Sequence, residues 1–512
     1  MSAHVDRNKI PRSYREYLAL MKDMGELVEI DDEVDWNLEM GAIFRHAAET
    51  CAPMPVFNHV KDAAPGFRAA DWGMGKSGHP TQPWRRLSAM LGLPPETPLM
   101  EIQAAYIEAK ENGRSYPPNV VDASAAPCKQ NKWTGDQIDL NKIPAPLAHD
   151  GDGGRYLQTA GLNIAQTPDG KWTNWSTNRA MILDAQTMTG QWWPKQHNGM
   201  IWKMWRDEGK DMPWACALGV SPVASTQAAS RIPAWVDEYD MASALLGAPL
   251  DMVKCETNDI LVPADAEIII EGVIEYGTQE PEGPFGEYPG YLPDETTIFP
   301  RQKVTCVTFR DQPILPMSIP GVPIDNCHVT MGFFISSDSV ITLQKAGLPI
   351  IDGMYLFEAA ILWFVIRVPK DWHDRTGWTL DDFMNRLGNT FWTDHVGDTV
   401  TKILVVDEDI DPSDVKEVVW AFASRNHPTF TTYLFPELRA FGDGIESYHT
   451  TRELSEDKGT SLVIYACLEN ADRVGRPEKR VMSFTENYPE PVKQKVLDNW
   501  ERWGFGDGAA SR

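Results

Sequence analysis

The segment Glu267-Ile-Ile-Ile-Glu-Gly-Val-Ile-Glu275 restricts the fold more than any other part of the chain. In an extended backbone successive side chains point to opposite faces, so Glu267, Glu271 and Glu275 fall on one side and Ile268, Ile270 and Ile274 on the other. This predicts a half-buried strand whose glutamates face solvent. Residues 303–309 and 313–317 read as further strands of the same sheet. The chain from about 155 to 325 is therefore expected to be β-rich.

The flanks differ. Residues 12–50 alternate a helical stripe (Tyr14, Tyr17, Leu18, Met21), a short extended run (Leu27, Val28, Ile30) and a second helical segment over 38–48, an α/β beginning. Between about 64 and 84 glycine, proline and polar residues predict a loop crossing the surface. Pro117, Pro118, Pro127, Pro144 and Pro146 break any long helix, which places the first domain boundary in this region. After about 325 helices return: residues 414–424 follow a Pro412-Ser413 start signal, and 403–406 read as a buried strand. The acidic run 407–411 lacks the glycine and distal glutamate of an EF-hand and reads as a strand exit before that helix. Val492, Val496, Trp500 and Trp503 form an apolar stripe near the end, to be buried within the chain or against a second subunit. Residues 506–512 are expected to fray. We divide the chain into 1–125, 126–325 and 326–512, in keeping with about 100–200 residues per domain.

Charge and cysteine usage exclude several classes. With 47 Lys+Arg against 73 Asp+Glu the net charge is −26, which repels nucleic acids and anionic bilayers. The longest apolar stretch, 355–368, contains Glu358 and Arg367 and is too short to span a membrane. Arg7, Lys9, Arg12 and Arg15 are not followed by the apolar run of a signal peptide. Seven scattered cysteines without a C-x-x-C pair suit a reducing compartment and form neither a disulfide framework nor a Cys-based zinc site. A cytoplasmic protein is expected.

Two stretches could carry chemistry. The loop 277–290 packs four glycines and three prolines into fourteen residues and carries Glu280, Glu282 and Glu287. Carboxylates on a rigid loop can do acid–base work, although taken alone they read first as ordinary solvated loop residues. The second is Asn174-Trp-Ser-Thr-Asn-Arg179 with Gln196-His197 and Glu238, a mixed nitrogen and oxygen set suited to Mn²⁺ or Mg²⁺. Gly151-Asp-Gly-Gly154 is not G-x-G-x-x-G and follows no clear strand, so it supports no nucleotide fold. Neither a Walker loop nor a G-x-S-x-G elbow occurs.

Taken in order, Asn174-Trp-Ser with Arg179, Gln196-His197, Val253-Lys-Cys-Glu-Thr-Asn-Asp259, Pro281-Glu-Gly-Pro-Phe-Gly-Glu287 and the closing stretch from Tyr488-Pro to Gly504-Phe505 resemble the UbiD family of prenylated-FMN-dependent decarboxylases, nearly end to end. The resemblance is greatest to its ferulic and cinnamic acid branch. It implies an α+β protein with an N-terminal α/β domain, a central split β-barrel flavin-binding domain and a C-terminal α/β dimerisation domain, assembled as a homodimer or higher homo-oligomer. It implies Arg179, Glu282 and Glu287 as the catalytic network, with Glu287 as proton donor and Glu282 paired with the arginine. It implies Asn174, His197 and Glu238 as Mn²⁺ (or Mg²⁺) ligands anchoring the flavin phosphate, and Trp175, Ala229, Ser230 and Glu238 around a K⁺ ion. Ser176, Arg179, Gln196 and His395 would join the metal ligands in holding the cofactor.

The physical logic is that loss of CO₂ leaves a carbanion that no side chain can absorb, so a cofactor must take the electrons, and the resemblance implies that prenylated FMN does so through a covalent adduct. A flavin prenyltransferase would supply that cofactor. His395 and the stretch Pro323-Ile-Asp-Asn-Cys-His328 depart from the cinnamate pattern, and Asn326, Met331 and His395 are the implied substrate contacts. The implied substrate is a pyrrole-2- or indole-3-carboxylate-like acid, in which Asn326 and His395 meet a ring N–H. A cinnamic or ferulic acid is the alternative, and His395 then contacts the flavin phosphate. A glycosidase-like hydrolase using Glu282 and Glu287, or a non-catalytic subunit of the same fold, are rival readings from other classes.

Overall fold

The computed structural model describes residues 3–293, 296–438, 462–469 and 481–505. Its N-terminal layer is a four-stranded sheet in the order Leu27–Val34, Met54–Val60, Arg68–Asp71, Ile314–Met317. Helix Tyr14–Asp23 covers it, starting where the Ser13 side chain accepts the Glu16 N–H and burying Tyr14, Tyr17, Leu18 and Met21. Two expectations fail here. Ile314–Met317 does not join the middle sheet: it runs parallel to Arg68–Asp71 and completes the N-terminal one. The Gly/Pro-rich stretch 64–84 is no surface loop, because it contains that strand, and Trp72, Met74 and Ser77 are buried behind it. The glycines permit close packing there: a Cβ on Gly73 would stand 2.7 Å from the Tyr17 ring.

The middle of the chain is a curled half-barrel of nine strands. Eight follow the order Tyr156–Gln158, Ala180–Ile182, Thr187–Gly190, Arg301–Phe309, Ile268–Ile274, Met212–Leu218, Leu162–Gln166, Thr173–Ser176, and Asn131–Thr134 pairs with Arg301–Phe309. Ile268–Ile274 is central, as its isoleucines require, but Glu267 and Glu271 are fully buried rather than solvated. The reason is that both faces of the strand are covered and both carboxylates are paired. Arg15 grips Glu267 through Nε and Nη2, each at 2.8 Å, while Glu267 also accepts the Ile314 N–H at 3.1 Å. Glu271 accepts the N–H groups of Glu256 and Thr257 and lies 3.5 Å from the Lys129 ammonium. Only Glu275 keeps partial exposure.

Helix Asn326–Lys345 then passes through the interior, followed by a five-stranded sheet in the order Asp352–Tyr355, Trp363–Val368, Lys402–Asp407, Leu462–Cys467, Thr432–Phe435. Lys402–Asp407 lies between two parallel partners, and helix Val415–Arg425 starts at an Asp414 cap. The acidic run between them binds the end of that helix, with Asp407 and Asp409 on Arg425. Of the terminal stripe, Val492 and Trp503 are exposed, whereas Val496 and Trp500 are half-buried and Trp500 stacks on Phe505 at 4.3 Å. Among the described residues the stripe is therefore only partly buried within the chain. Residues 506–512 lie outside them. No helix among the described residues is long and apolar enough to cross a membrane.

Candidate active site

Arg179 sits in the short link between strands Thr173–Ser176 and Ala180–Ile182 and holds two carboxylates. Its Nε and Nη2 donate to Glu282 Oε1 at 2.8 Å and Oε2 at 3.0 Å, the planar two-point geometry that suits a guanidinium. Its Nη1 contacts Glu287. Glu282 ends the strand Glu280–Glu282, which pairs with Thr297–Phe299, and its side chain is 1% exposed against 27% for Glu287. Tyr156 Oη donates to Glu282 Oε1 at 2.7 Å. The Arg179 guanidinium also lies over the rings of Phe285 and Tyr156, at 5.0 and 5.8 Å. Burial, with the Glu282 charge adding to it, pushes the Tyr156 phenol well above its ordinary value, so it stays a donor. Three sequence-derived residues thus converge. Tyr156, 126 residues from its partner, carried no sequence signal.

A second cluster lies where helices His197–Asp207 and Glu238–Leu246 pack on strand Thr173–Ser176. Glu238 begins helix Glu238–Leu246 and is buried; its Oε2 accepts the Trp175 N–H at 2.7 Å. Burial raises the Glu238 carboxyl to about 8, with the Trp175 hydrogen bond opposing that rise. Gln196 caps helix His197–Asp207 through its backbone, which places His197 at the first helical position. Burial, then the neighbouring His395 and Arg231, lower the His197 imidazole to about 4. His395 stacks on His197 at 4.9 Å, lies 2.9 Å from Asp398 through Nδ1, and has Nε2 3.5 Å from Arg231. Arg231 leaves the turn holding Ala229 and Ser230, whose N–H groups bond back to Thr226 and Gln227; its own N–H goes to Asp338. Ser176 Oγ donates to Asn178 Oδ1 at 2.7 Å.

These residues suit a cation and an anionic cofactor. Asn174 Nδ2, Asn198 Nδ2 and Trp192 Nε1 are buried without a hydrogen-bond partner among the described residues, an arrangement that a bound polar group would resolve. A buried carboxylate beside a neutral imidazole and a carboxamide offers the oxygen and nitrogen donors of a Mn²⁺ or Mg²⁺ site.

Each of the implied substrate contacts has partners of its own in the structure. Asn326 accepts the Gly75 N–H through Oδ1 and donates through Nδ2 to Asp71, both at 2.6 Å. His395 belongs to the His197 cluster, and no hydrogen bond joins it to Asn326 among the described residues. Met331 lies one turn beyond Cys327, whose Sγ is 3.4 Å from its sulfur.

A curled antiparallel sheet thus carries an Arg–Glu–Glu network, with Asn174 on one edge strand and His197 and Glu238 at the starts of two helices packed on that strand. Comparison with known proteins gives the family. Models of the 3-octaprenyl-4-hydroxybenzoate carboxy-lyase N-terminal, Rift-related and C-terminal domains match residues 18–106, 119–323 and 328–466. The chain is 35% identical to the pyrrole-2-carboxylic acid decarboxylase of Pseudomonas aeruginosa, covering 98% of this chain and 100% of that protein. It is 34% identical to ferulic acid decarboxylase 1 of Saccharomyces cerevisiae, covering 96% and 98%. The solved structure of an evolved dimeric form of the UbiD-class enzyme HmfF from Pelotomaculum thermopropionicum, in complex with prFMN, superposes with a TM-score of 0.74 at 26% identity over 91% of this chain and 97% of that one. The chain belongs to the UbiD family, and its enzymatic class is that of a decarboxylase.

Proposed function

We propose that this protein decarboxylates, reversibly, an aromatic or heteroaromatic carboxylic acid, with prenylated FMN as cofactor and Glu287 as proton donor. The observation that carries the reading is the Arg179 guanidinium shared by a buried Glu282 and a more accessible Glu287. The cofactor, when bound, supplies the electron sink for the carbanion left by CO₂. Asn174, His197 and Glu238 would hold Mn²⁺ against the cofactor phosphate, and Trp175, Ala229, Ser230 and Glu238 would surround K⁺. Ser176, Gln196 and His395 would complete the binding surface, and the contact of His395 with His197 and Arg231 favours the phosphate role for it. Arg179 fixes Glu282 and leaves Glu287 to give one proton to the vacated carbon. The apolar ring of Phe285 keeps water from that face of Arg179.

A pyrrole-2- or indole-3-carboxylate-like acid is the first substrate class, supported by the name of the Pseudomonas relative. Cinnamic or ferulic acids are the second, supported by the yeast relative at nearly the same identity. Asn326 Nδ2 is taken by Asp71, while Oδ1 accepts only the Gly75 N–H and keeps a second lone pair that could accept a ring N–H. A homodimer, supported by the dimeric relative and by the partly exposed terminal stripe, is part of the reading. The test is co-expression with a flavin prenyltransferase and CO₂-release assays on pyrrole, indole, furan and cinnamic carboxylates. Glu287→Gln should abolish turnover while keeping the flavin; wild-type turnover in that variant refutes the donor role.

A further inference from the structure

The residues Gly151, Asp152, Gly153 and Gly154, which match no nucleotide-binding pattern, lie against the loop that carries Glu287. The Gly153 N–H donates to the Pro284 carbonyl at 2.7 Å, and a Cβ on Gly153 would stand 2.0 Å from the Gly283 carbonyl oxygen. No side chain fits between the two segments. Asp152, whose side chain is fully buried, accepts the Gly286 N–H through Oδ1 at 2.9 Å and the His149 N–H through Oδ2 at 2.9 Å. The His149 ring has Nδ1 3.1 Å from the same carboxylate and donates through Nε2 to the Pro320 carbonyl at 2.9 Å. A Cβ on Gly286 would stand 2.5 Å from His149 Nδ1, so the imidazole packs directly on the backbone preceding Glu287.

A second Asp–His pair holds the other side. His328, fully buried in the first turn of helix Asn326–Lys345, donates through Nε2 to the Tyr288 carbonyl at 2.7 Å. Its Nδ1 is 2.8 Å from Asp325, which Arg45 binds at 2.7 Å. Arg45 also donates to the carbonyls of Ile319 and Val322, at 3.1 and 2.8 Å. The residues on either side of Glu287 are thus each tied to a buried acid–imidazole pair anchored in a different part of the fold. Burying two carboxylates to hold two peptide groups is a costly way to stabilise a loop, and it is justified where the loop must place a reacting side chain to within a fraction of an ångström.

We infer that Asp152 is a positioning residue that fixes Glu287 for proton delivery, on a loop that His328 holds from the other side; the inference rests on the reading of Glu287 as donor. In the full-length, cofactor-loaded enzyme, Asp152→Ala should lower kcat about 100-fold while KM and flavin content stay within about twofold of wild type. Asp152→Asn, which keeps an oxygen for the Gly286 N–H, should recover at least about tenfold of that loss. A kcat within about twofold of wild type, a loss that follows flavin content or folded fraction, or an Asn variant no better than Ala would each overturn the inference. Should Asp152→Ala fail to fold, Gly286→Ala is held to the same criterion on kcat, KM and flavin. Glu287→Gln separates the two readings. Wild-type turnover there removes the donor role itself, whereas an inactive Glu287→Gln beside an unimpaired Asp152→Ala overturns only the positioning role.

Discussion

Tyr156→Phe isolates one hydrogen bond of the carboxylate network. The substitution removes the hydroxyl that donates to Glu282 Oε1 at 2.7 Å and leaves the ring in place on Phe285, 4.2 Å away between centroids. A hydrogen bond to a charged group contributes about 1.5–3 kcal/mol. Arg179 Nε remains on the same oxygen at 2.8 Å, so the carboxylate is not left bare and the lower end applies, about 1.5 kcal/mol. If Glu282 must keep its place while Arg179 and Glu287 change partners in the transition state, that loss falls on the chemical step and slows kcat about tenfold. If the bond is equally strong before and during reaction, it lowers thermal stability and leaves kcat alone. Steady-state CO₂ release gives kcat and KM, and flavin absorbance of the purified variant gives cofactor content. The expected result is a kcat about tenfold lower at unchanged KM and flavin content. A kcat within about twofold of wild type would show that Tyr156 serves packing and that Glu282 is held by Arg179 alone.

Two further outcomes test the metal site and the fold. His197→Ala should lower both bound manganese and retained flavin, read by metal analysis and flavin absorbance, and full occupancy would remove His197 from the ligand set. Glu267→Ala leaves Arg15 and Arg310 without their shared carboxylate and the Ile314 N–H without its acceptor. Because the Arg15 side chain is 34% exposed and can turn to water, the cost should lie near the lower end of about 3–5 kcal/mol. Scanning calorimetry should then show the first unfolding transition several degrees lower, whereas an unchanged transition would mean that the N-terminal sheet does not depend on this pair.

What the sequence revealed is what local periodicity can encode. The stripe Tyr14, Tyr17, Leu18, Met21 needs only helical spacing to be recognised, and it is buried. Ile268–Ile274 was recognisable as a strand for the same reason, but the environment of Glu267 was not, since its partner Arg15 is 252 residues away in the chain. A period-two pattern reports which residues share a face and says nothing about whether a distant cation covers that face. The error over Ile314–Met317 has a similar origin: strand character is local, while the choice of sheet depends on a partner at Arg68–Asp71. In the site, Arg179, Glu282 and Glu287 were reached through the resemblance of several motifs in order, because on residue chemistry alone the loop glutamates read as solvated. Tyr156, Asp152 and His149 gave no such signal. The one trace of them was the glycine density at 151–154, which indicates close backbone approach without telling to what.

In the proposed mechanism the two carboxylates on Arg179 divide their work by environment rather than by residue type. Glu282 is almost wholly enclosed, takes two donors from Arg179 and one from Tyr156, and has no free path to bulk water. A group so saturated can set the orientation of the guanidinium but could not renew a proton after each turnover. Glu287 meets the same cation with one nitrogen, keeps about a quarter of its side chain accessible, and rides on backbone tied down at Gly286 and Tyr288. Access and a fixed origin are what a proton donor needs: it must be refilled from outside, and it must return each time to the same point above the substrate carbon. On that reading only an exchange of environments would exchange the roles, and Asp152, remote in sequence, is part of the environment that holds the backbone before Glu287.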